Sequence, residues 1–109
     1  MDNFKVIYKI LRHLEASMDC EYTDMDAISA ERLKISPERW EALLILLQQS
    51  GYITGLVIEQ SQSDPRPRIC EPVMAQITLA GLEYLSENTM MKKAERLLKG
   101  IKGMMPGVR

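Results

Sequence analysis

Two apolar runs rich in β-branched residues, YITGLVIEQ from Tyr52 and ICEPVMAQITL from Ile69, flank the stretch SQSDPRPR. The Asp64-Pro65 and Arg66-Pro67 junctions forbid a helix or a central strand there. Proline has no N–H to donate, and it pushes the residue before it out of the helical region. The two runs therefore read as the arms of a hairpin around a stiff loop. Pro72 marks the return arm as an edge or a bulge.

Helical patterns lie on both sides of this hairpin. Asp2 or Asn3 caps a first helix. Phe4, Ile7, Tyr8, Leu11 and Leu14 recur on one face, Val6 and Ile10 widen it, and the helix ends near Ser17. A short second helix starts at Thr23, Asp24 or Asp26 and ends near Leu33. Ser36, Pro37 and Glu38 then form a dense start signal: a capping hydroxyl, a proline at the first helical position and an acid at the positive end of the helix dipole. The third helix runs to about Ser50, with Gly51 as a left-handed cap. Its core face is Trp40, Leu43, Leu44 and Leu47. After the hairpin, Thr78 caps a fourth helix that runs through about Glu87 and carries Leu79, Leu82 and Leu85, with Tyr84 beside them. A fifth runs from Asn88 or Thr89 to about Lys102. Three helices, a two-stranded hairpin and further helices describe a mainly α fold with a small β-hairpin. This is a winged helix-turn-helix domain over residues 1–88, followed by a basic amphipathic C-terminal helix and tail over residues 89–109.

At 109 residues the chain is one domain's worth and can bury a single core without staples. No apolar run reaches the roughly 18 to 20 residues of a membrane span. The N-terminal stretch lacks the pattern of a signal peptide, so a cytoplasmic protein is expected. Cys20 and Cys70 stand apart, and His13 is the single histidine. One chain thus cannot assemble a zinc site, and the cysteines read as reduced packing residues. No phosphate loop, GxSxG or HExxH is present. Neither an enzyme nor a cofactor is expected.

The net charge of −1 conceals a division. Residues 1–88 carry eight basic and fourteen acidic side chains, and residues 89–109 carry six basic and one acidic. In that tail Met91, Ala94, Leu98, Ile101 and Met105 recur in steps of three and four. The stripe suits packing on its own domain or a second subunit. It also suits a partner or membrane surface, and its basic face suits nucleic acid.

The stretch ISAERLKIS resembles the turn of a helix-turn-helix, with Ala30 as the small residue between helices, Leu33 and Ile35 flanking the turn, and Ser36 capping the recognition helix. Lys34 stands where many such proteins carry glycine. A left-handed conformation there costs lysine more. ITLAGLEYL resembles the strand-to-helix closure of winged-helix regulators. Together with SGYITG and DPRPR, it makes the chain similar to the YjcQ-like family of small winged-helix proteins from Gram-positive bacteria and their prophages. The segment NTMMKKAERLLKGIKGMMPG is similar to the ends of several such phage-encoded proteins. The resemblance implies a winged-helix fold and no settled activity.

Two functions follow as expectations. The first is a small DNA-binding, transcription-regulatory protein acting as a homodimer. Lys34, Arg39 and Gln49 would be offered to duplex DNA around the third helix, and Arg66 and Arg68 from the wing. Against it, Glu38 and Glu41 share that helix, and the wing loop reads equally well as a solvated polar loop. The second is a protein-interaction module without DNA contact. ALLILLQQ is apolar on every side, so Ile45 and Leu46 face outward and need a cover. That cover would be the chain's own basic fifth helix, or a partner or second copy meeting Ile45, Leu46, Met91, Leu98 and Ile101. An acidic or apolar outer face on the third helix favours the second reading. A continuous positive face through helix and wing favours the first.

Overall fold

A computed structural model describes residues 2–88 of the chain. Helix α1 spans Asn3–Ala16, and the Asp2 carboxylate accepts from the Phe4 N–H at its start. Its buried face is Val6, Ile10, Leu11 and Leu14. Phe4, expected in that face, is 69% exposed, because the stripe that meets the core is rotated toward Val6 and Ile10.

The expected second helix is two pieces. Asp24 caps a single 3-10 turn, Met25–Ile28, and Ser29 then breaks the helix with an extended backbone and caps α2, Ala30–Leu33. Helix α2 ends in the arrangement the resemblance implied. Lys34 is left-handed at φ 60°, its N–H bonds to the Glu31 carbonyl, and the Ile35 N–H reaches back to the Ala30 carbonyl. These two bonds make a Schellman closure with lysine in the position glycine favours.

Helix α3 spans Pro37–Gln49, and the Ser36 hydroxyl accepts from the Arg39 N–H. Leu43, Leu44 and Leu47 are buried beneath it. Half-buried Trp40 donates its indole N–H to the Ile28 carbonyl at 2.7 Å, which joins α3 to the 3-10 turn. Gly51 follows in the left-handed region at φ 86°.

The hairpin is present but interrupted. Strand β1 (Ile53–Thr54) pairs antiparallel with β4 (Gln76–Ile77), and β2 (Ile58–Glu59) pairs with β3 (Arg68–Ile69). Between the two ladders Gly55–Val57 face Cys70–Ala75, three residues against six, so the arms cannot pair continuously. Gly55, at φ 106°, makes the break, and the Gln48 side chain fills the missing partners by bonding both the N–H and the carbonyl of Leu56. The expected single strands are therefore two short ladders in line.

Residues 79–88 form α4. The Thr78 hydroxyl accepts from the Gly81 N–H and donates to the Gly51 carbonyl, so one side chain caps α4 and ties it to the end of α3. Gly81 and Leu85 are its buried positions, whereas Leu79, expected to point inward, is 72% exposed at the first turn. The core joins α1, the 3-10 turn, α2, α3, both arms and α4. The architecture is a winged helix-turn-helix with an added helix. The expected fifth helix, with Met91, Leu98 and Ile101, lies outside the described residues. Among the described residues, no helix is long and apolar enough to cross a membrane.

Candidate interaction site

The base of the wing folds over the N-terminal half of α3, and a carboxylate holds it there. Glu41 lies one turn into α3. Its Oε2 accepts the Ile69 N–H at 2.9 Å, and its Oε1 lies 3.1 Å from Nε of Arg68. One side chain thus binds both the backbone and the guanidinium of β3. A carboxylate that accepts such paired donors makes some of the stronger hydrogen bonds a surface offers.

The proline loop is closed in the same way. The Asp64 carboxylate accepts from the Arg66 N–H at 3.2 Å and from Arg66 Nε at 3.4 Å, and Arg68 Nη1 lies 3.9 Å away. The backbone N–H of Asp64 donates to the Ser61 hydroxyl. These hydrogen bonds from Arg66, with the charges of Arg66 and Arg68 behind them, hold the Asp64 carboxyl below its ordinary value of 3.8. At the far end of β3, burial first, and then the neighbouring Glu59, push the Cys70 thiol up, which makes it a poor nucleophile.

Helix and wing enclose an open cleft of about 410 Å³. Its apolar lining is Pro37, Ala42, Ile45 and Pro67, and its charged lining is Glu38, Glu41, Arg66 and Arg68. The expectation that Ile45 points outward is corrected here. It is only 7% exposed, because the wing base packs over this part of α3. It sits apart from the main core cluster. Leu46 remains 55% exposed, as expected.

The residues expected to meet DNA do not form one positive face. Arg66 and Arg68 stand together at the cleft, each beside a carboxylate. Arg39 turns the other way and donates to Asn3 at the start of α1. Lys34 is exposed in the turn before α3, and Gln49 is exposed at the far end of that helix. With Arg39 turned away, the face holds two bases, Arg66 and Arg68, against three acids, Glu38, Glu41 and Asp64. In the sequence Glu41 is legible as an acid that phosphate would avoid, and its part in holding the wing is not. Its partner Ile69 is 28 residues away, and no local motif marks such a bond.

Among the described residues no group of three His, Cys, Asp or Glu side chains could hold a metal ion. No curated protein and no solved structure matches the chain. The family model described as YjcQ protein matches residues 8–104. That match takes in α1 from Tyr8 onward, the helix-turn-helix, the whole wing and α4, and with it this chain belongs to the YjcQ protein family.

Proposed function

We propose that this chain is a non-catalytic winged-helix interaction module that presents the α3–wing face to a protein partner, a second copy included. The observation that carries this reading is the binding of Arg68 and the Ile69 N–H by Glu41. In a winged-helix DNA reader the wing cations are free to meet phosphate. Here a phosphate would have to draw Arg68 from Glu41 and approach Glu38 and Glu41 as it did so. Phosphate contacts supply most DNA affinity, and a face with more acids than bases supplies little. The apolar cleft and exposed Leu46 suit a protein surface better.

A DNA-binding regulator is the second reading. The Arg66 side chain, 72% exposed beside α3, favours it. Fluorescence anisotropy with mixed-sequence duplex DNA over a range of salt separates the two. The comparison is between the native chain and Arg66→Gln/Arg68→Gln, since the basic residues 89–109 alone can give weak binding. The proposal expects the same salt slope for both. A slope smaller in magnitude by about 2 in the variant, close to one per lost phosphate contact, would overturn it in favour of the DNA reading.

A further inference from the structure

We propose that the cleft between α3 and the wing seats the chain's own C-terminal segment, residues 89–109. This rests on reading the α3–wing face as a protein-docking surface, and it names the occupant.

Charge gives the first argument. Residues 1–88 have an excess of six acidic charges, and residues 89–109 an excess of five basic ones. Within the cleft, Glu41 is occupied by Arg68 and Ile69, whereas Glu38 is exposed and has no partner among the described residues. Arg66 is paired with Asp64, so the charge left without a partner at the cleft is the Glu38 carboxylate, which calls for a cation.

Chemistry gives the second. The cleft has an apolar floor at Ala42, Ile45 and Pro67 beside that carboxylate. Leu46 adds apolar surface one turn beyond Ala42 on the same side of α3. The matching ligand is an apolar side chain next to an ammonium. The C-terminal segment supplies such pairs as Met91-Lys92, Leu98-Lys99 and Ile101-Lys102.

Reach gives the third. Helix α4 starts at the C-terminal end of α3, where Thr78 binds Gly51, and the cleft lies toward the other end. The 13 residues of α3 measure about 20 Å and the ten of α4 about 15 Å, so the segment starts within about 35 Å of the cleft. The 21 residues that follow α4 cover about 30 Å as a helix and about 70 Å extended. A tethered segment has an effective concentration on the order of millimolar. It therefore outcompetes a second copy at ordinary protein concentrations.

Backbone amide NMR of the full chain tests the proposal. In Leu98→Asp/Ile101→Asp, amide shifts are expected at residues 38–46, 66 and 68, remote in sequence from the change. In Ala42→Lys, at an exposed cleft position that tolerates lysine, the reciprocal shifts are expected at residues 92–102. Both sets persist unchanged on dilution. Shifts confined to residues 89–109 in the first variant, or their absence from that segment in the second, would overturn the proposal. Shifts that vanish on dilution would also overturn it and assign the cleft to a second copy. None of these outcomes depends on DNA, so the salt-slope experiment fails or succeeds separately.

Discussion

Lys34 and Gly81 sit at opposite limits of what a backbone position demands. Lys34 is left-handed at φ 60°, where its Cβ crowds the following carbonyl, and the turn between α2 and α3 depends on that conformation. Lys34→Gly should raise stability by about 0.5–1 kcal/mol, the relief partly offset by the freer unfolded chain. Chemical denaturation reads this as a higher midpoint at unchanged slope. At Gly81 the helix backbone lies against the carbonyl of Tyr52, and a Cβ would also come within 2.6 Å of Ile77 Cγ1. Gly81→Ala should therefore cost about 1–3 kcal/mol by overpacking, although alanine is the better helix former. Asp64 carries a pH prediction. Its folded pKa lies below the ordinary value of 3.8, so its contribution to the wing loop is complete above that value. The contribution is lost as pH falls through the lower folded value. Its side-chain carbon resonance should titrate with a midpoint below 3.8, and Asp64→Asn should remove that acid dependence from the Arg66 amide shift.

At the scale of elements, local chemistry was legible and long-range chemistry was not. The caps at Asp2, Ser36 and Thr78 each follow from a side chain and an N–H two or three residues on, and each is where the sequence places it. The proline loop, Pro37 at the head of α3 and left-handed Gly51 were legible for the same reason. Periodicity located α1 but misjudged its rotation, since Phe4 and Val6 lie within one turn and only packing decides which is buried. The break at Gly55 was hidden inside a β-branched run. Its compensation by Gln48 comes from another element, which no pattern within the strand records. The site suffered most. Arg66 and Arg68 were legible as wing cations, but what they do is set by Asp64 and by Glu41, and Glu41 lies on α3, 27 residues from Arg68.

At the scale of the molecule, a helix-turn-helix frame carries a wing turned against its own third helix. Glu41 of α3 holds that wing in place, and the resulting face is cleft, partly apolar and carries more acids than bases. The account stands on Glu41 binding the wing base, and the Ile69 amide reports that contact directly because its N–H donates to the Glu41 carboxylate. Hydrogen exchange at Ile69, in the native chain and in Glu41→Ala, is therefore the decisive measurement. A hydrogen bond to a charged acceptor is worth about 1.5–3 kcal/mol. Ile69 should be protected in the native chain and exchange at least about tenfold faster in the variant, while amides beneath Leu44 keep their protection. An Ile69 amide that exchanges freely in the native chain, or at the same rate in both, would contradict the account: the wing would then stand free of α3, with its arginines open to phosphate.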